Sequence, residues 1–270
     1  MDKKELNEII EKDPYHKVRE NPSNSDLRLY LREVGYHCPL CGKELQSRKQ
    51  KKPEQQLFQI AHIYPNRPTV EQYNLLHNLE RLGTDCESFE NKIALCVGCH
   101  QTQDYHTTVE EYVHLLSIKK RCLTQTALHD ATNTLGLEEE IDEIVAKLST
   151  LSEVDVAELN YDPSRIAKKF TNQDVLLKNK VTNYVVTFYP YIRDSFKKLD
   201  GKNGFNMQVL FEQIRSCFIK MNEISQDKTL IFSKIVEWVM HKTQSNSLES
   251  CEAVVSFFVQ NCEVFYEIPE

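Results

Sequence analysis

Two C-x-x-C pairs, Cys38-Pro-Leu-Cys41 and Cys96-Val-Gly-Cys99, constrain this chain more than any other feature. A C-x-x-C turn directs two thiolates to one side of a knuckle, and two knuckles supply four ligands for one tetrahedral ion at about 2.3 Å. Gly42 follows the first pair and Gly98 lies inside the second, as tight knuckles tend to need. The 54 residues between Cys41 and Cys96 exceed what a simple zinc ribbon holds, so something is inserted between the knuckles. A redox role is disfavoured because no βαβ pattern surrounds either pair. The expectation is a structural zinc on Cys38, Cys41, Cys96 and Cys99. The remaining cysteines, Cys86, Cys122, Cys217, Cys251 and Cys262, lack ligand spacing and read as small buried hydrophobes. An odd count of nine, with charged residues where a signal peptide would be apolar, argues against a disulfide framework and points to the cytoplasm.

Charge divides the chain. Residues 1–122 are net neutral, whereas residues 123–270 carry the whole formal charge of −7. The strongest basic cluster, Lys43, Arg48, Lys49, Lys51 and Lys52, lies between the knuckles and is the candidate DNA-contacting loop. An acidic C-terminal half is a poor nucleic-acid surface. With 40% hydrophobic and 27% charged residues the chain is not disordered. Only 7 glycines argue against a sandwich or barrel. No run approaches 18 apolar residues, which excludes a membrane-spanning helix.

The segments flanking the second knuckle carry the chemistry. Residues 57–65, LFQIAHIYP, read as a short apolar strand bearing His62 and ended by a proline. Residues 89–100, FENKIALCVGCH, place Asn91 before a second strand (Ile93, Ala94, Leu95), then the knuckle, then His100. Asp104 follows His100 by four residues, so on a short helix the two share a face and can chelate one cation. Thr107, Thr108 and Glu111 read as the cap of a new helix.

Strand with His, loop with Asn, strand, knuckle, helix with His: this order resembles the HNH endonuclease family. AHI-x-P followed by N-x-I-A-L-C-x-x-C-H resembles its zinc-stapled branch, over roughly residues 36–106. The resemblance implies a ββα-metal fold within a treble-clef knuckle and metal-dependent cleavage of DNA. It makes His62 the general base, Asn91 the residue that braces the loop and orients His62, and His100 a ligand of a catalytic magnesium or manganese ion. Many members carry Asp or His just before the catalytic His. Here Ala61 stands at that position, so further ligands must come from elsewhere, with Asp104 first, His106 second and Asp85 third. His37 and His77 read as bystanders, His37 being placed to hydrogen-bond a thiolate.

From residue 163 onward apolar spacing is helical throughout, giving a four-to-five-helix bundle. One long helix carries Val175 to Ile192 and is strained or ended near Pro190. The ending SFFVQNCEVFYEI, Ser256 to Ile268, resembles the C-terminal domain of ABC-three-component anti-phage defence systems, over about 160–270. That resemblance implies docking to an SMC-like ABC ATPase. Phe257, Phe258, Val264 and Phe265 suit a core, while Gln260, Asn261 and Glu263 among them favour a partner-facing surface. The expected architecture is α+β: a zinc-stapled HNH nuclease domain over 1–123, a linker and bridging helix over 124–160 with the linker itself near 124–135, and an all-α interaction domain over 161–270. Two other readings compete with a nuclease effector: a catalytically inactive zinc-binding DNA- or protein-interaction module, and a stand-alone restriction enzyme for modified DNA.

Overall fold

The structure, a computed structural model, describes residues 3–46, 57–105, 108–133, 135–137, 141–151, 164–201, 205–261 and 264–266. The chain forms two compact units, Met1–Thr126 and Ala127–Glu270. Eleven helices and two strands lie among the described residues.

The first unit is built on one antiparallel pair, β1 (Phe58–His62) and β2 (Lys92–Cys96), in register from Phe58 opposite Cys96 to His62 opposite Lys92. β2 is buried along its whole length. Such a ribbon is marginal in water unless other elements cover it. Around it stand α1 (Lys3–Lys12), α2 (Asn24–Glu33), α3 (Val70–Leu76) and α4 (Val97–Tyr105). The first part of α5 (Val109–Asn133) adds Tyr112, Leu115, Leu116 and Ile118 to the same core. Ser23 and Thr69 start α2 and α3 with reciprocal capping boxes.

The N-terminal residues belong to this core. Tyr15 is buried, with its hydroxyl donating to the Leu82 and Gly83 carbonyls at 2.9 and 3.1 Å. Arg81 forms a fork onto both oxygens of Asp13 at 2.8 Å and lies 4.0 Å over the Tyr64 ring. Deeper still, Lys119 of α5 donates to both Glu33 oxygens at 2.7 Å, with side-chain exposures of 0% and 2%. The Lys119 ammonium also lies 4.0 Å over the Phe89 ring. Burial pushes the Glu33 carboxyl up and the Lys119 ammonium down, so the pair survives as ions only because each faces the other.

The second unit is helical. The end of α5 contributes Leu128, and α6 (Ile141–Leu148) contributes Ile141, Ile144, Val145 and Leu148, to a core shared with α7 (Ser164–Ala167), α8 (Val175–Leu199), α9 (Met207–Ile224), α10 (Lys228–Thr243) and α11 (Leu248–Gln260). From Ser250 to Gln260 every residue of α11 is buried. Glu252, the one acid within that buried stretch, accepts from Lys180 at 2.7 Å and from the Tyr184 hydroxyl at 2.9 Å.

The polar stretch 124–135 is helical up to Asn133 as part of α5, and the two units divide within it, after Thr126. Helix α8 passes through Pro190 and ends at Leu199, held on both sides of the proline by buried Tyr189, Ile192 and Phe196. Gln260 is corrected from partner-facing to buried, at 4% exposed, while Asn261 is half-buried, accepting from the Tyr189 hydroxyl at 2.9 Å and donating to the Phe257 carbonyl at 2.8 Å. Glu263 and Cys262 lie outside the described residues.

Removing one partner of the buried pair strands a charge, at a cost of about 3–5 kcal/mol. Lys119→Met is expected to lower the stability of the first unit by that amount in denaturant unfolding of the full chain. Adding Glu33→Leu to it is expected to recover most of the loss.

Candidate functional site

The four cysteines meet where β2 passes into α4. Cys96 ends the strand and Cys99 lies in the first turn of the helix, donating its backbone N–H to the Cys96 sulfur at 3.4 Å. The opposing knuckle is the turn Cys38–Gly42, closed by the Gly42 N–H on the Cys38 carbonyl at 2.7 Å and by the Cys38 N–H on the Lys43 carbonyl at 2.8 Å. Gly42 has φ +74°, a conformation that glycine adopts without steric cost. Gly98, by contrast, has ordinary helical backbone in open space, so the second knuckle does not require it.

All four sulfurs lie within 4.8 Å of one another, and those of Cys41 and Cys96 are 3.6 Å apart. Thiolates tetrahedral about one zinc at about 2.3 Å stand about 3.8 Å apart, so the set fits that ion. Burial raises the Cys38 thiol, but hydrogen bonds from the backbone of Cys96, Leu40 and Cys41 outweigh it and lower the thiol to about 7. Burial, then the three neighbouring sulfurs, push Cys99 the other way. Four thiols this close cannot all ionise without a cation, and a cation removes that conflict.

Asn91 stands at the opposite end of the strand pair. Its side-chain oxygen accepts from the Tyr64 N–H at 2.9 Å, and its amide donates to the carbonyls of Tyr64 and Cys86 at 2.9 and 3.0 Å. It ties Tyr64 to Cys86 and makes no hydrogen bond to the His62 ring. That ring is held by Glu87, whose Oε1 lies 2.8 Å from His62 Nε2. Glu87 Oε2 accepts from Lys92 at 3.0 Å and from the Glu20 N–H at 3.2 Å.

Burial lowers the His62 pKa and outweighs the opposing effect of Glu87, so the ring is neutral near pH 7. Burial raises the Glu87 carboxyl, yet the bonds from Lys92 and His62 bring it below its ordinary value. An ionised Glu87 accepts a hydrogen bond from the Nε2–H of a neutral imidazole, which leaves the Nδ1 lone pair as the basic atom.

His62 and His100 line one cavity of about 300 Å³. His62 ends β1, and Gln103 of α4 donates to its carbonyl at 2.7 Å, fixing the helix against the strand end. His100, one turn earlier on α4, has its Nδ1 3.0 Å from Asp104 Oδ2. Both imidazoles are nearly buried, whereas the Asp104 side chain is 60% exposed at the cavity lip. Arg19, from the segment between α1 and α2, lines the cavity and donates to the Ile60 carbonyl at 2.6 Å.

Several candidates lie apart. Asp85 pairs with Lys17 at 2.5 Å and does not line the cavity. His77 bonds the Tyr73 carbonyl, and His37 bonds the Gly35 carbonyl at 2.8 Å in place of a thiolate. Lys43 is exposed beside the first knuckle; Arg48, Lys49, Lys51, Lys52 and His106 lie outside the described residues. Among the described residues the four cysteines are the one group of three or more His, Cys, Asp or Glu placed to share an ion, so His100 and Asp104 stand as a pair without a third such ligand. Glu87 and Arg19 are absent from the sequence expectations: no spacing rule links them to His62.

Residues 128–265 match the family CTD11, described as C-terminal domain 11 of the ABC-three component (ABC-3C) systems. The match takes in just over half the chain and begins within α5, earlier than the expected 160. No curated protein and no solved structure matches the chain.

The thiolate cluster is expected to hold one zinc per chain by elemental analysis. Cys96→Ser should lose most of that metal and lower the melting temperature. Because ligands must be deprotonated, wild-type zinc should be released as pH falls.

Proposed function

Because the chain belongs to the CTD11 family of ABC-three component systems, we propose that it is the DNA-cleaving effector of such an anti-phage system. In this reading the first unit is a metal-dependent HNH endonuclease and the second docks it to the SMC-like ABC ATPase. The observation that carries the reading is a single cavity lined by two imidazoles, each with one nitrogen committed to a carboxylate.

The chemistry follows from those commitments. His62 accepts a proton from water at Nδ1, the nitrogen that Glu87 leaves free. The resulting imidazolium is stabilised by the ionised Glu87 carboxylate 2.8 Å from Nε2, which holds the ring in one tautomer throughout. The water oxygen attacks the scissile phosphorus, and the bond to the 3′ oxygen breaks.

His100 and Asp104 are the residues that would hold a divalent ion. Their side chains, 3.0 Å apart, would offer such an ion one ring nitrogen and one carboxylate oxygen. Magnesium or manganese bound there supplies neutralisation of the scissile phosphate and of the departing oxygen. The four-cysteine zinc has no open position and serves to hold the fold.

Ala61, fully buried in β1, adds no ligand and favours the competing reading of a binding module without catalysis. His62→Ala separates the two. It is expected to lower plasmid cleavage by about 10²–10⁴-fold with zinc content unchanged, whereas a binding module would keep its full effect in a phage-protection assay. Since the base must be unprotonated, cleavage should rise with pH and then level off. The midpoint should fall below the ordinary histidine value of 6.5, as burial lowers the His62 pKa. Glu87→Gln is expected to slow cleavage at least about tenfold, because the amide offers the ring no charge to balance its proton.

A further inference from the structure

A second cavity, of about 380 Å³, shares Arg19 and His100 with the first. Its walls are Leu27, Pro22, Phe58 and Ile60, edged by Asn21 and Gln59. Of Arg19's five N–H donors, one is spent on the Ile60 carbonyl. No carboxylate pairs with Arg19 among the described residues, although Lys17, two residues earlier on the same segment, is paired with Asp85. Arg19 also lies close enough for its charge, after burial, to be among the influences that lower the His62 pKa. An unpaired guanidinium where two cavities meet, beside two imidazoles, is complementary to a phosphodiester.

Resting on the nuclease reading, we infer that Arg19 holds the DNA backbone at the scissile phosphate and that the second cavity takes the neighbouring nucleotide. Phe58, Leu27 and Pro22 offer that nucleotide an apolar face, and Asn21 and Gln59 offer hydrogen bonds at its edge. The two cavities then form one path for a strand, crossing over His100. The segment between α1 and α2 becomes a strap with two tasks, since the Glu20 N–H bonds the same Glu87 that orients His62.

The test uses the full chain carrying His62→Ala, so that binding is read without cutting, and a short fluorescein-labelled DNA duplex as probe. Arg19→Gln keeps a donor for the Ile60 carbonyl and removes the charge. It is expected to weaken binding about tenfold at moderate salt and to reduce the slope of log affinity against log salt by about one. Arg19→Lys should restore most of the affinity, and Lys17→Gln should leave it unchanged. In the cutting-competent chain, Arg19→Gln should raise KM more than it lowers kcat. Unchanged affinity in Arg19→Gln, an equal loss in Lys17→Gln, or no duplex binding by the parent overturns the inference. Cutting with an unaltered KM overturns it while leaving the nuclease reading intact. Arg19-dependent binding by a chain that never cuts sinks the nuclease reading alone.

Discussion

A two-stranded ribbon with 29 residues between its strands has no reason to stay closed, and the first unit depends on closing it at both ends. At one end four sulfurs converge around Cys96. At the other, Asn91 replaces the missing third strand by satisfying three backbone groups, two on Tyr64 and one on Cys86. The closures oppose different costs. The sulfurs would offset loop entropy by sharing a cation, whereas the amide offsets desolvation of buried peptide groups. Between them the ribbon is held flat enough for α4 to leave it at Val97 and bring His100 alongside His62.

The electrostatics of the cavity follow from that scaffold. Each histidine is buried where an isolated imidazolium would be penalised, and each has a carboxylate within 3.0 Å. Glu87 remains ionised because Lys92, its neighbour across the register from His62, pairs with its other oxygen. One acid is therefore shared between a fixed cation and a neutral ring. That arrangement keeps charge inside the site without forcing a proton onto His62. Lys119 and Glu33 show the same economy deeper in the unit, where burial is tolerated because it is mutual.

Much of this was legible in the sequence, for reasons that are local. The cysteine spacing encodes a knuckle within four residues, and the strand-knuckle-helix order places His62, Asn91 and His100 without tertiary information. Contacts that span the chain were not legible. Glu87 meets His62 across 25 residues and Arg19 meets Ile60 across 41, and neither obeys a periodicity. Polarity misled at Gln260, which looked like surface and is buried in the bundle, because the side chains that enclose it are invisible to pattern.

From Ser250 to Gln260, helix α11 has no outer face. Side chains from Ser250 to Gln260 are enclosed by the surrounding bundle, so drift along this stretch is limited by volume and by the few internal bonds. Kinship detected in such a segment reports inheritance of an architecture. Exposed apolar side chains stand instead on other helices, such as Leu176 of α8 and Val209 and Ile219 of α9, and at Leu248, where α11 begins. Two chains with this ending can thus be siblings in construction and strangers in allegiance.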